Sequence, residues 1–200
     1  MKTARFLLAK GFTLVELLIV IALIGVLAVA VLAAINPLEQ LNRARDTGME
    51  SDASQLLAAI DRYYASQEEF PWVTVDEVAS NDVEYGFTSA KTEGVGVCGA
   101  DCDTPGLLLE QLELKSEFLN RGFITAEDTE TSNLLYIGKD EGASTSVYAC
   151  WVPLSQAKRA QAAYTIAVDT ATRTAKDDCM TDDTIDWQAL GTSCVICIPR

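Results

Sequence analysis

Nineteen consecutive uncharged residues, from Leu17 to Ile35, constrain the fold of this chain more than any other feature. As an α-helix, with about 1.5 Å of rise per residue, they extend about 28 Å, which is enough to cross the hydrocarbon core of a membrane. The run contains one glycine, Gly25, and is otherwise apolar. A single carboxylate, Glu16, stands directly before it. The sequence therefore predicts a membrane-spanning helix with a charge at its start that needs an explanation.

Two ordinary interpretations explain only part of this pattern. Lys2, Arg5 and Lys10 make the first ten residues basic. A secretory signal has such a start, with small residues at 31–33 for cleavage, but its apolar core is usually shorter. A plain membrane anchor would carry Glu16 as a charge that costs about 2.5–3.5 kcal/mol at mid-membrane and less near an end.

A third interpretation explains Glu16. If the chain is cut between Gly11 and Phe12, the basic leader is lost and Phe12 gains a free amine four residues from Glu16. An amine and a carboxylate attract strongly where the dielectric constant is low, although each is costly there alone. Between two parallel helices, Glu16 of one copy would meet the Phe12 amine of its neighbour. This contact would set the register of a polymer.

The residues of this region carry a specific resemblance. The stretch KGFTLVELLIVIA, residues 10–22, resembles the N-terminal motif of type IV pilins and pseudopilins. The resemblance implies that a prepilin peptidase cuts after Gly11, that Phe12 is N-methylated, and that Glu16 is needed for assembly. It continues weakly through residues 36–46. For the remainder of the chain it implies only the architecture, an α+β head on a long helix.

One departure from that family concerns where the helix bends. Many of its members carry a proline in the second half of the apolar run, whereas this chain has none before Pro37. Gly25 and Pro37 are therefore the candidate kinks. Asn36 and Pro37 suit the N-cap and the first position of a helix, so they begin a new helix or kink a continuous one.

The pattern predicts four parts. They are a leader at 1–11, a transmembrane and assembly helix at 12–35, an amphipathic continuation at 36–66, and an α+β head at 67–200. In the continuation, apolar residues recur every three, four or seven positions, which predicts a helix packed on the head. They are Leu38, Leu41, Met49, Ala53, Leu56, Leu57, Ile60 and Tyr64.

The head is expected to contain a small antiparallel sheet packed on that helix. Leucine spacing predicts a further helix over 107–119, and residues 128–132 are expected to form a polar loop. Apolar, aromatic and β-branched runs predict strands near 84–88, 134–137, 146–153 and 163–169. The acidic tail at 175–200 is expected to be irregular and held by disulfides.

Composition argues against most enzymes and against nucleic-acid binding. The chain has 200 residues, with 15 Lys or Arg and 29 Asp or Glu. Beyond the first ten residues there are 12 basic and 29 acidic residues, a balance of −17 that repels nucleic acid. The absence of histidine removes the commonest general base and most zinc sites. We expect no enzyme activity, no cofactor and no nucleic-acid partner.

The six cysteines predict disulfides, because their number is even and the body of the chain is expected to be exported. They are Cys98, Cys102, Cys150, Cys179, Cys194 and Cys197. Thiolate zinc is the alternative, but only Cys194 and Cys197 have ligand spacing. Local bonds at Cys98–Cys102 and Cys194–Cys197 are two options, and a bond from Cys150 to Cys179 or Cys194 is another. The connectivity stays open.

Two charged groups in the C-terminal half are weak site candidates. Calcium binds oxygen-rich loops, and one such loop has Asp177, Asp178, Asp182, Asp183 and Asp186. Its spacing matches no EF-hand, and a solvated acidic loop is the simpler interpretation. The basic residues Lys158, Arg159, Arg173 and Lys176 would suit a nucleic-acid patch, but the acidic body argues against it.

These observations favour a structural subunit of a type IV pilus-like filament, held by the cytoplasmic membrane before assembly and extracellular afterwards. Its expected partners are further copies of itself, the prepilin peptidase and the membrane assembly machinery. The alternatives are a pseudopilin of a type II secretion system, and a membrane-tethered extracytoplasmic binding domain that does not polymerise.

Overall fold

The computed structural model describes residues 11–34, 36–100, 102–127, 129, 133–142, 144–167, 170–188 and 190–199. The chain forms two compact units, one ending at Leu38 and the other beginning at Glu39. The predicted leader, apart from Gly11, and most of the predicted polar loop at 128–132 lie outside the described residues.

The first unit contains helix α1, Leu14–Ala34. The stretch Leu14–Leu32 has a mean hydropathy of 3.1 and is long and apolar enough to cross a membrane. Its large apolar side chains are between 46% and 79% exposed. The helix continues through Gly25, the first candidate kink, without interruption.

The second helix, α2, spans Pro37–Gln67 and supplies one wall of the core of the second unit. Pro37, the second candidate kink, is its first residue, a position where the missing N–H of proline removes no helical bond. The helix ends one residue after the predicted limit of 66. Its buried residues are Asp46, Met49, Ala53, Leu56, Ala59, Ile60 and Tyr63.

The predicted apolar stripe of α2 is right at its centre and wrong at both ends. Leu38 and Leu41 are 65% and 68% exposed. At the other end Tyr63 is buried, whereas Tyr64 is 38% exposed. Tyr63 lies four residues after Ala59 and seven after Leu56, which are both fully buried, whereas Tyr64 lies seven residues after the half-buried Leu57. Tyr63 therefore continues the centre of the buried face and Tyr64 lies at its edge.

A four-stranded antiparallel sheet packs on α2, as predicted. It contains β1 (Tyr85–Ser89), β2 (Tyr136–Lys139), β3 (Val147–Trp151) and β6 (Ile196–Ile198), in the order β1-β2-β3-β6. A separate two-stranded sheet pairs β4 (Tyr164–Ala167) with β5 (Thr172–Ala175). The four predicted strands are present with shifted ends. The tail, predicted to be irregular, supplies β6, because Ile196 and Ile198 continue the sheet beside β3.

The predicted helix over 107–119 is wrong as one element. Helix α4 covers only Leu107–Glu110, a 3₁₀ turn follows at Ser116–Asn120, and α5 covers Gly122–Thr125. Leu112 adopts a left-handed backbone with φ 60°, which ends the first helix. Two further short helices are α3 at Pro71–Val75 and α6 at Gln156–Arg159, and a second 3₁₀ turn covers Glu93–Val95.

A stack of four aromatic rings joins α2 to β1. Centroids of successive rings are 4.5, 4.7 and 4.5 Å apart, with interplanar angles of 20° or less. The rings belong to Tyr64, Phe70, Trp72 and Tyr85. At its inner end the hydroxyl of Tyr85 donates to Asp76 at 2.9 Å. Burial, together with this bond to a carboxylate, raises the pKa of Tyr85.

Three disulfides form, as the even cysteine count predicted. They are Cys98–Cys102, Cys150–Cys197 and Cys179–Cys194. The local Cys194–Cys197 option is wrong, because an extended chain carries residues three apart to about 10 Å, beyond disulfide reach. A strand is tied to the tail, but the partner of Cys150 is Cys197, directly opposite it across β3 and β6.

Candidate processing and assembly site

The N-terminal site is built around one carboxylate at the first turn of α1. Thr13 precedes the helix, and its backbone N–H donates to Glu16 Oε2 at 2.9 Å. The hydroxyl of Thr13 donates to the same oxygen at 2.8 Å. In return, the backbone N–H of Glu16 donates to Thr13 Oγ1 at 3.2 Å. This is a reciprocal capping box, which satisfies backbone donors that a helix start leaves unpaired.

The predicted cleavage position stands just outside this box. Gly11, Phe12 and Thr13 precede α1 and are not helical. Phe12 is 87% exposed, and a Cβ built on Gly11 would meet no atom within 4 Å. The bond between Gly11 and Phe12 is therefore sterically accessible. The structure brings Thr13 and Glu16 together and leaves the side chain of Phe12 exposed.

Residues 8–32 match the family model described as the prokaryotic N-terminal methylation motif. The chain has a prepilin-type N-terminus. No curated protein and no solved structure matches the chain significantly. The prepilin motif includes Gly11, Phe12 and Glu16, and the head at 67–200 lies outside it. Together with α1, it fits a type IV pilin-like or pseudopilin protein anchored in the inner membrane.

Thr13 is the residue of this prepilin site that the sequence analysis missed. The signal was present as Thr13 followed by Glu16 three positions later, directly before an apolar helix. That spacing is the capping-box pattern. The carboxylate was explained only by a contact with another copy, whereas in the single chain it already closes the helix start.

The acidic loop in the tail gathers two of its carboxylates around a lysine and not around a metal site. Lys176 Nζ lies 3.1 Å from Asp178 and 2.7 Å from Asp182. Hydrogen bonds from Lys176 and Thr184 lower the pKa of Asp182, and bonds to Asp182 and Asp178 raise the pKa of Lys176. Asp186 accepts from the backbone of Gln188. Among the described residues no group of three or more side chains is placed to hold a metal ion.

The four basic side chains considered above as a patch form contacts within the second unit. Lys158 pairs with Glu50 at 2.5 Å, and the guanidinium of Arg159 lies 4.9 Å from the centroid of Trp187. Lys176 holds the acidic loop, as described above.

Arg173 is the fourth of these basic residues. It pairs with Asp140 at 2.9 Å, and its guanidinium lies 3.6 Å from the ring centroid of Tyr148 and 4.6 Å from that of Tyr164. Its side chain is only 10% exposed. These contacts give all four residues a structural explanation.

Proposed function

We propose that this protein is the structural subunit of a type IV pilus-like filament. Helix α1 inserts it in the cytoplasmic membrane, a prepilin peptidase cuts between Gly11 and Phe12, and Phe12 is methylated. Copies then pack through α1, with their heads on the outside of an extracellular fibre. In this role the chain catalyses nothing and is the substrate of the peptidase.

The arrangement of Glu16 is the observation that carries the proposal. Both bonds from Thr13 go to Oε2, and Glu16 Oε1 accepts no hydrogen bond from the described residues. Cleavage after Gly11 leaves Thr13 in the chain, so the capping box survives processing. The box would hold the carboxylate with Oε1 directed away from its own helix start. The Phe12 amine of a neighbouring copy is a complementary donor in the same apolar layer.

The apolar side chains of helix α1 must also be buried against other apolar groups wherever the helix leaves the lipid. Its large apolar side chains are exposed on all sides, and exposing them to water costs about 25 cal/mol per Å². Further copies of the same helix supply an apolar surface of matching length. Packing through α1 would therefore replace the contacts between the helix and lipid by contacts between helices during assembly.

The first experiment determines the N-terminus of the mature protein by mass spectrometry, in a membrane fraction and in material sheared from cells. A chain that begins with methylated Phe12 in both fractions supports the proposal. A chain that begins near residue 34 would identify a cleaved secretory signal and contradict it. A full-length chain starting at Met1 would identify an unprocessed anchor.

Glu16→Ala separates a polymer from a tethered domain. The proposal expects normal insertion and normal cleavage but loss of sheared fibres, because the register contact is gone. Leu17→Ala, the neighbouring substitution, is the control and should retain fibres. A tethered binding domain would tolerate Glu16→Ala, since the change only removes a charge from the membrane.

The location of the polymer separates the two members of the prepilin class. Fibres in the sheared surface fraction support the pilus. A polymer that depends on Glu16 but stays beneath the outer membrane, and whose loss blocks export of folded proteins, would identify a pseudopilin of a type II secretion system instead.

A further inference from the structure

A cavity of about 290 Å³ opens between three elements of the second unit. They are the last turns of α2, the turn between β2 and β3, and Pro199, which follows β6. Leu57, Asp61 and Tyr64 supply the helix wall, and their spacing of four and three places them on one face of α2. The volume is near the lower end of the range for small-molecule sites. We call this cavity the aromatic pocket.

The turn between β2 and β3 forms a fixed wall of the aromatic pocket. The hydroxyl of Thr145 donates to the carbonyl oxygens of Asp140 and Gly142, at 2.6 and 2.7 Å. Lys139 Nζ donates to the same oxygen of Gly142 at 2.7 Å. Val147, which begins β3, is 7% exposed. Because these contacts are made within the chain, the wall is formed before any ligand arrives.

Tyr64 contributes an aromatic ring to the pocket. One face of the ring stacks on Phe70, with centroids 4.5 Å apart and an interplanar angle of 20°. The residue is nevertheless 38% exposed, so it is the open end of the four-ring stack. The face of an aromatic ring attracts cations through its quadrupole. One ammonium of the chain already lies near this stack, since Lys139 Nζ is 5.9 Å from the centroid of Phe70.

Asp61 gives the pocket a negative charge that nothing in the described chain compensates. Its side chain is exposed and forms no ion pair or hydrogen bond with a described residue. No lysine or arginine of the described chain lines the pocket, and Lys139 is only 1% exposed. Other carboxylates of the second unit, such as Asp52 and Glu113, are paired with arginines. The charge at Asp61 on a strongly acidic body favours a cationic ligand.

The remaining walls of the pocket decide between kinds of cation. A primary ammonium has three donors that need acceptors, and a metal ion needs several oxygen ligands. No group of three or more side chains among the described residues is placed to hold a metal ion. Apart from the aromatic rings, the apolar walls are Leu57, Val147 and Pro199. They would leave the donors of a primary ammonium unsatisfied.

A quaternary ammonium group fits these walls. It has no N–H to satisfy, its methyl groups pack against apolar side chains, and its charge is attracted by an aromatic face. The exposed Ser144 and Ser146 also line the pocket. Their hydroxyls suit a polar group attached to the cation, such as the hydroxyl of choline.

We propose that the aromatic pocket binds a quaternary ammonium group. The methyl groups would pack on Leu57 and Val147, and the charge would lie between the ring of Tyr64 and the carboxylate of Asp61. Free choline and the headgroup of a phosphatidylcholine lipid both carry this group. The inference goes beyond the proposed filament and does not depend on it, because every lining residue lies in the second unit.

Titration of the full-length protein with choline tests the pocket. The protein is held in maltoside micelles, which contain no ammonium group, and binding is followed by saturation-transfer difference NMR of the choline methyl signal. Two control ligands are the neutral alcohol in which carbon replaces the choline nitrogen, and N-acetyl-lysine amide, which carries a primary ammonium. Choline should bind saturably, and both controls should bind at least about tenfold more weakly. A control ligand that binds as tightly as choline would overturn the inference.

Substitutions then locate the binding. Tyr64→Leu keeps an apolar side chain but removes the ring, and should weaken choline binding about tenfold. Tyr64→Phe retains the ring and should bind choline like the native protein. Asp61→Asn should weaken binding about fivefold and remove most of its salt dependence. Glu110→Gln removes an exposed carboxylate that does not line the pocket and should have no effect. Native affinity in both Tyr64→Leu and Asp61→Asn would overturn the inference.

Glycerophosphocholine, the water-soluble lipid headgroup, distinguishes the two sources of the ligand. An affinity close to that of choline supports the pocket and identifies the headgroup as a ligand. Much weaker binding than choline supports the pocket for free quaternary amines only, because the acidic body repels the phosphate. No saturable binding of either compound to the native protein would overturn the inference.

The pocket and the filament fail in different experiments. Glu16→Ala, which should abolish sheared fibres, should leave choline binding unchanged. Fibres without choline binding would contradict the pocket alone, and choline binding by a chain that forms no fibres would contradict the filament alone.

Discussion

Asp46 accepts hydrogen bonds from both the backbone N–H and the hydroxyl of Ser155, at 2.8 and 2.7 Å. Both residues are fully buried. The backbone N–H of Leu154 donates to the same carboxylate at 3.1 Å, and Arg45 lies 3.3 Å away. One carboxylate on α2 therefore fixes the chain that leaves β3, and with it the approach to α6.

Asp46→Asn should destabilise the head by about 2–3 kcal/mol, because the amide presents N–H groups to donors that need an acceptor. Urea unfolding monitored by circular dichroism measures the loss. Asp61→Asn is the control, since Asp61 is exposed on the same helix and its loss should stay within about 0.5 kcal/mol. Equal stability of the two variants would show that Asp46 does not anchor the loop.

The disulfides should contribute unequally. Cys150–Cys197 closes a loop with a sequence separation of 47, and Cys98–Cys102 one with a separation of 4. Loop-closure entropy then predicts a loss of about 4 kcal/mol for Cys150→Ser/Cys197→Ser and about 2 kcal/mol for Cys98→Ser/Cys102→Ser. Thermal unfolding of both double variants without reductant compares them. A larger loss from the short loop would contradict this ranking.

Arg173 should not be replaceable by lysine. Its flat guanidinium lies over the rings of Tyr148 and Tyr164 and pairs with Asp140, a combination that an ammonium group cannot reproduce. We expect Arg173→Lys to lose about 1–2 kcal/mol of unfolding free energy, close to the loss for Arg173→Ala. Near-ultraviolet circular dichroism should change with it, because tyrosines surround the site. Full stability of Arg173→Lys would mean that charge alone is sufficient.

Asp52 should make the free energy of unfolding depend on pH in a defined direction. Burial raises the pKa of Asp52 above its usual 3.8, and Arg121 offsets this only in part. The folded state therefore binds the proton more readily than the unfolded state, so ionised Asp52 lowers stability above the raised pKa. This penalty disappears as the pH falls through that value towards 3.8.

Asp52→Asn removes this titration. The stability of the variant relative to the native protein should be highest near neutral pH, should fall as the pH drops through the raised pKa of Asp52, and should level off below its usual 3.8. Urea unfolding of both proteins at several pH values measures the difference, and titration of the other carboxylates cancels in the comparison. A difference that rises towards acid would reverse the assignment.

Thr13 is expected to act as a positioning residue for Glu16. Thr13→Val keeps the shape of the side chain but removes the hydroxyl that bonds Glu16 Oε2. Sheared fibres should decrease, while cleavage after Gly11 continues. Thr13→Ser retains the hydroxyl and should restore assembly, which separates the hydrogen bond from side-chain bulk. Loss of cleavage in Thr13→Val would instead place Thr13 in peptidase recognition.

The sequence alone was sufficient for the features that depend on neighbours along the chain. The apolar run, the Gly11–Phe12 step and Glu16 are contiguous, so they were predicted together. The stripe from Met49 to Ile60 follows from local helix geometry, whereas the sequence left open whether Pro37 begins a new helix or kinks a continuous one. The runs that form β2 and β3 are apolar and β-branched enough to predict strands, although not their ends.

Only the tertiary structure decided which distant residues meet. Cys150 pairs with Cys197 because β6 lies beside β3. The spacing of the cysteines along the sequence does not indicate that these two strands are neighbours. In the sequence, Asp46 resembles an exposed acidic residue on a helix. In the structure it is buried by residues 154 and 155, which lie more than a hundred positions further along the chain. Burial and hydrogen bonding depend on contacts between residues far apart in the chain, so only the tertiary structure shows them. Periodicity and motifs depend on residues close together in the chain, so the sequence alone was sufficient to predict them.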